Sequence, residues 1–298
     1  MPGLLLASAL AFTQGDANLA YLTATNLVAC HTPRDAGTAR AAAAASFIAD
    51  AAEKAGAKVA FDKFSSRTPK GPAVFTNVSA EFGRREGGEW VVFVSHYDTK
   101  PGSGCPGAND GASTTGLLVA LAHAFARSEA LPLNAMLVWT DGEECMESYS
   151  AEDGLWGSKR AADRLRRDGR PVRAVVCLDM LGDRNLDMSI PWNSSPELRG
   201  SAIKAAKAAG LAPAVKAAPE HVIDDHVPFL ERGFKAIDLI DFHYGSAPGL
   251  NDWWHTPHDT PDKISEASLL KAGRLAVALV AELSDANRAE NPAENRRD

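Results

Sequence analysis

"NAMLVWTDGEEC", residues 134–145, decides how the chain is read. From Asn134 to Asp141 the run is strand-length, and Leu137, Val138 and Trp139 follow one another without alternation, which suits a strand covered on both faces. It then ends on two adjacent glutamates, Glu143 and Glu144. Runs of the same kind occur at 58–64, 72–82, 89–97, 172–180 and 234–241, and between them lie helical stretches at 36–55, 112–127, 157–167, 196–209 and 264–283. Strands alternating with helices predict an α/β fold, a three-layer α/β/α sandwich with a central mixed, largely parallel sheet.

The chain has 298 residues, 45% of them apolar, enough for a sizeable core. No composition shift, linker or internal repeat divides it, so residues 1–285 are read as one catalytic domain. The closing "NRAENPAENRRD" is polar and lacks periodicity, and 286–298 are expected to form a disordered tail. The formal charge is −7, with 38 acidic and 31 basic residues and no basic cluster interleaved with aromatics, so nucleic acid is not an expected partner. No apolar run approaches the roughly 20 residues that span a bilayer. "MPGLLLASALA" at the start has an A-x-A-like end without a basic flank and is read as the remnant of an export signal, a helix start being the alternative. An exported protein is therefore expected, with a cytoplasmic one as alternative. Cys30, Cys105, Cys145 and Cys177 are too few for a disulfide scaffold and are read as thiols, with a bridge between Cys105 and Cys145, in loops expected to meet, as the alternative.

Ligands of open α/β sheets collect at the carboxyl ends of the strands. Those ends carry His96 and Asp98, then Asp141, Glu143 and Glu144, then Asp179. Asp110 precedes a helix, and His255 lies in "NDWWHTPHDT". One such residue alone has a bland reading: Asp110 as a helix cap, Glu143 and Glu144 as a solvated turn. Together they put several carboxylates and imidazoles on one rim, where unpaired buried charge is costly and a zinc ion is the natural compensation. His96 and Asp98, two apart on an extended segment, point to one side, where Asp98 accepts the second imidazole N–H. Neighbours in an extended segment diverge, so one glutamate can hold metal while the other faces substrate.

The blocks His96-x-Asp98, Gly107-Ala108-Asn109-Asp110, Asp141-Gly142-Glu143-Glu144, Gly157-Ser158, Leu178-Asp179-Met180 and Trp254-His255-Thr256 resemble, in order, the zinc aminopeptidases and glutaminyl cyclases that share one α/β fold. Two stretches are similar to the cyclase branch: the insertion after the glutamate pair, Ser150 to Ser158 in the pattern S-x-x-D-x-L-x-G-S, and "DDHVPFLERG" from Asp224. The resemblance implies a zinc-dependent glutaminyl-peptide cyclotransferase that turns N-terminal glutamine into pyroglutamate with release of ammonia. A zinc aminopeptidase is the alternative, and an inactive peptide-binding relative the third reading. It implies zinc on Asp110, Glu144 and His255, one per chain in a cyclase. In an aminopeptidase a second zinc would use His96 and Asp179, with Asp110 bridging. Glu143 would be the general base and acid, Asp179 and Asp224 its hydrogen-bonded catalytic partners. Trp254, Trp253 and Tyr149 would wall the pocket, and the partner would be a peptide with a free N-terminus. Tyr149 replaces a pocket tryptophan of the animal cyclases, and Ile223 a pocket glutamine.

Gly102, Gly104 and Gly107 form a G-x-G-x-x-G, but a dinucleotide site also needs an acidic residue at the next strand end, and Glu129 falls before that strand. No G-x-S-x-G elbow exists for a serine hydrolase. His123, His226 and His258 are read as structural.

Overall fold

The computed structural model describes residues 10–83, 86–129 and 131–290. Most of the expected export remnant, residues 1–9, and residues 291–298 of the expected tail lie outside these. The elements are α1 (Gln14–His31), α2 (Ala39–Glu53), β1 (Lys58–Thr68), β2 (Gly71–Phe82), β3 (Trp90–His96), α3 (Thr114–Arg127), β4 (Asn134–Thr140), α4 (Trp156–Asp168), β5 (Val172–Asp179), β6 (Met188–Ile190), α5 (Pro196–Ala208), β7 (Val215–Ala217), α6 (His226–Glu231), β8 (Ala236–Ile240) and α7 (Glu266–Glu290). The last helix thus runs through residues 286–290, which the polar composition had assigned to a tail.

One eight-stranded sheet has the order β1-β2-β4-β3-β5-β8-β6-β7. Its centre, β4-β3-β5-β8, is parallel, while β2 pairs antiparallel with β4, β1 with β2 and β6 with β8. Alternation along the central strands builds two cores. Val91, Phe93, Leu137, Trp139, Val176 and Leu178 face α1, α2, α3, α5 and α7, whereas Val92, Val94, Val138 and Val175 face Ala162 and Leu165 of α4 and Phe229 of α6. Both faces are therefore dry, which is why the "LVW" run is continuous. Truncating a fully buried side chain such as Leu137 to alanine would cost about 2–5 kcal/mol.

The sequence reading omitted α1, β6, α6 and β7. In α1 the buried stripe is Ala17, Ala20, Ala24 and Leu27, small residues that show little apolar contrast, and its start is fixed by a reciprocal cap between Thr13 and Asp16. Strands β6 and β7 have three residues each, too short for a periodic signal. Parallel β3, β4 and β5 need helical crossovers, here α3 and α4, so their carboxyl ends share one rim.

Candidate metal centre and active site

Five side chains from that rim and two loops meet in two overlapping trios. His96 Nε2 lies 3.1 Å from Asp110 Oδ1 and 3.1 Å from Asp179 Oδ1. His255 Nε2 lies 3.3 Å from Asp110 Oδ2 and 2.7 Å from Glu144 Oε1. Asp110 offers one oxygen to each trio, and in each the ligand atoms lie within 4.8 Å of one another. His255 has a left-handed backbone, φ 57°, as does Met180, φ 54°, just after Asp179. Non-glycine residues held there carry backbone strain of about 1–3 kcal/mol, which concentrates at functional sites.

Local structure explains the placement. Asp110 and Gly111 sit in an irregular turn, Ala108–Ser113, ahead of α3, and the Asp110–Gly111 peptide is cis. A Cβ on Gly111 would lie 2.5 Å from His96 Nε2, so only glycine lets this turn close on the imidazole. Asp259 holds the turn from behind, accepting the amides of Asn109 (2.7 Å) and Asp110 (3.1 Å) and the Tyr244 hydroxyl (2.6 Å). Buried Arg34 donates to the carbonyls of Tyr97, Pro106 and Gly107. Neither Asp259 nor Arg34 was picked out from sequence. Each acts across a long stretch of chain; for Asp259 the only local hint is a carboxylate beside His255 and His258.

Asp98 differs from expectation. His96 Nδ1 stands 3.5 Å from Asp98 Oδ1 without a hydrogen bond, and Asp98 instead accepts the amides of Glu143 (3.1 Å) and Glu144 (3.2 Å). Two backbone donors one residue apart match a carboxylate's two oxygens better than a ring on its own strand. Asp98 therefore holds the glutamate turn and stays within ion-pair reach of the His96 imidazole.

The insertion after Glu144 folds around Asp153, whose carboxylate accepts the amides of Met146, Glu147 and Ser148 at 2.7–2.9 Å. That loop brings the Tyr149 hydroxyl to Glu143 Oε1, to which it donates at 2.8 Å. Gly154 makes room, since a Cβ there would lie 2.6 Å from the Tyr149 ring. The Glu143 carboxylate thus bonds Tyr149, not Asp179 or Asp224 as the resemblance implied. Asp179 takes His96, and Asp224 accepts the Cys177 thiol at 3.3 Å. Two carboxylates bond each other only when one carries a proton, whereas a phenol always has one to give.

A cavity of about 660 Å³ opens over the trios, lined by Asp110, Glu143, Glu144, Asp179, Asp224, His255, Tyr149, Phe242 and Trp254 among others. The Trp254 ring stacks on His255, centroids 3.8 Å apart, and tilts against Phe242 at 5.1 Å. Trp253, expected in the wall, is absent from it: adjacent side chains diverge, and its ring packs on Tyr244 under Lys263. Lys100, not singled out from sequence, lies 3.4 Å from Glu144 Oε2 and donates to the Cys145 carbonyl and sulfur. All four cysteines are free; Cys105 turns to Asp259 and Cys145 to Lys100, so the bridge allowed by sequence does not form.

The electrostatics fit a cation. Burial and the charge of Glu144 push the Glu143 carboxyl well above its ordinary range, and burial lifts Asp179 to about 8 against the pull of His96. Burial opposes charge on His255, yet Asp110 and Glu144 outweigh it and raise its pKa to about 9. Asp110 Oδ2 and Glu144 Oε2, both buried, have no hydrogen-bond donor. Oxygen and imidazole donors with unsatisfied lone pairs converging on one point are the ligand set of a zinc-type ion.

Residues 77–280 match peptidase family M28. The chain belongs to this family. It is 32% identical to an Acidobacteriales bacterium glutaminyl cyclase of known crystal structure, with a TM-score of 0.83 over 91% of this chain and 95% of that one. It is 26% identical over 274 residues to the glutaminyl-peptide cyclotransferase-like protein of Bos taurus, covering 76% of this chain and 66% of the bovine one. It is 30% identical over 207 residues to aminopeptidase YwaD of Bacillus subtilis (strain 168), covering 64% and 41%. Both activities named among these relatives of the family suit a centre of carboxylates and imidazoles facing a peptide-sized cleft. Among the described residues no helix is long and apolar enough to cross a membrane.

Proposed function

We propose that this protein is a zinc-dependent glutaminyl-peptide cyclotransferase, converting N-terminal glutamine of peptides to pyroglutamate and ammonia. The observation that carries the reading is the loop built on Asp153, which sets the Tyr149 hydroxyl on Glu143 Oε1. It is the insertion that likened the sequence to the cyclase branch, and the likeness to a bacterial glutaminyl cyclase over nearly the whole chain supports it.

Asp110, Glu144 and His255 would hold the zinc. When bound, zinc supplies Lewis-acid polarisation of the substrate's γ-carboxamide carbonyl. The chain's own residues do the rest. Trp254 and Phe242 form an apolar wall for the glutamine methylenes and exclude water from the reacting atoms. As the α-amine nitrogen bonds to the γ-carbonyl carbon, Glu143 takes one proton from that nitrogen. It returns the proton to the departing amide nitrogen as the carbon–nitrogen bond breaks, releasing ammonia. Tyr149 fixes the carboxylate, and Asp98 fixes the backbone beneath it.

One observation favours a second reading, an aminopeptidase: Asp110 is shared between two trios, which suits two zincs with Glu143 serving water instead of an amine. Mass spectrometry of a Gln-initiated peptide separates the two. Loss of ammonia at unchanged length is the expected result, with one zinc per chain; a peptide shortened from its N-terminus, with two, overturns the cyclase reading.

A further inference from the structure

The cavity extends well past the metal centre. Asp179 of β5 is in register with Ile240 of β8, Ile240 with Ser189 of β6, and Ser189 with Lys216 of β7. All four line the cavity. Residues paired across a sheet project from the same face, so they form one row, perpendicular to the strands, from the catalytic rim to the sheet's edge. Three strand spacings make that row about 14 Å long, and an extended peptide rising about 3.3 Å per residue would lay about four residues along it. A glutamine side chain over the trios needs none of this length.

The row has a chemical gradient. Its middle is Ile240 and the small Ser189, overlooked by Val222, Ile223 and Phe242. Ile223 is 55% exposed, an apolar side chain left open beside a cleft. The far end is polar: Asp187 Oδ1 lies 2.7 Å from Lys216 Nζ, and its Oδ2 3.2 Å from His243 Nδ1. Nothing in the chemistry of the first residue calls on these groups.

We propose that this row is the floor of an extended subsite for residues two to five of a linear peptide, favouring apolar side chains at the second and third positions. The inference rests on the cyclase reading only in taking glutamine as the first residue. It assigns Ile240, Ser189, Val222 and Ile223 a part in selecting substrate and makes short glutaminyl amides poor substrates.

The test compares kcat/KM for the pentapeptide amide Gln-Leu-Leu-Ala-Ala, its all-glycine counterpart Gln-Gly-Gly-Gly-Gly and the dipeptide amide Gln-Leu. The leucine pentapeptide should exceed the other two by about tenfold or more, mainly through KM, as expected when apolar groups enter a cleft. Ala218, just past β7, also lines the cavity; Ser189→Phe and Ala218→Trp, which narrow the cleft from two different segments, should bring the three substrates to similar values. Equal values in the wild-type protein, or an advantage that survives both substitutions, overturn the proposal. Failure of the cyclase reading looks different: the products are shortened peptides without ammonia, and the same length and side-chain dependence then upholds the subsite.

Discussion

Replacing Tyr149 with phenylalanine removes one hydroxyl from the buried face of Glu143 and nothing else. That hydroxyl donates to Glu143 Oε1 at 2.8 Å. A hydrogen bond to a charged partner is worth about 1.5–3 kcal/mol. It favours the ionised carboxylate and so opposes burial and Glu144, which hold the Glu143 carboxyl high. Without it the pKa rises further. In the proposed reaction Glu143 works in its base form, so the acid limb of kcat/KM should move to higher pH. Activity should fall about 10- to 100-fold at pH values below the new limb and recover above it. The assay is coupled ammonia release from a Gln-peptide across the pH range, with thermal melting to confirm the fold. Superimposable limbs, or a loss that is the same at every pH, would refute the reasoning, since the hydroxyl would then act on substrate or on nothing.

Further outcomes follow from the same geometry. Glu143→Gln should keep its zinc and lose about 10² to 10⁴ in turnover, the scale of general base catalysis; surviving activity would move the base elsewhere. His255→Ala and Glu144→Ala should each release metal measured by mass spectrometry, and His96→Ala should do so only if a second ion is bound. Burial pushes Asp141 up to about 8 from an unfolded value near 3.8, so its contribution to stability is complete below about pH 4 and is lost as pH rises through about 8. Asp141→Asn, which keeps an oxygen for the Thr76 amide, should flatten the fall in Tm between about pH 4 and pH 8; an unchanged slope would count against that assignment.

The fold was legible where patterns were long. The central strands announce themselves by runs such as Val91 to Val94, and strand ends name most of the site because a chemistry-bearing residue at that position has few structural excuses. What escaped was set by distance along the chain. Asp259 meets Asp110 across nearly half the sequence, and Asp98 chose two amides that no local pattern could assign to it. Tyr149 was read as wall, which it is, but its hydrogen bond to Glu143 was not foreseen, because the loop's path around Asp153 is a tertiary fact. Trp253 and Trp254 were indistinguishable as letters; only the direction of each ring separates them.

Asp110 carries a consequence for how such a centre changes over time. One side chain presents an oxygen to each of two neighbouring trios of ligand-type atoms, so the two are in electrical contact: charge accepted at one would weaken the donor offered to the other. Changes around His96 and Asp179 can therefore tune the second position, or retire it, while Glu144, His255 and Glu143 keep their places. On the proposed reading, the choice between cutting a peptide and closing it into a ring would then lie in the periphery of one shared carboxylate.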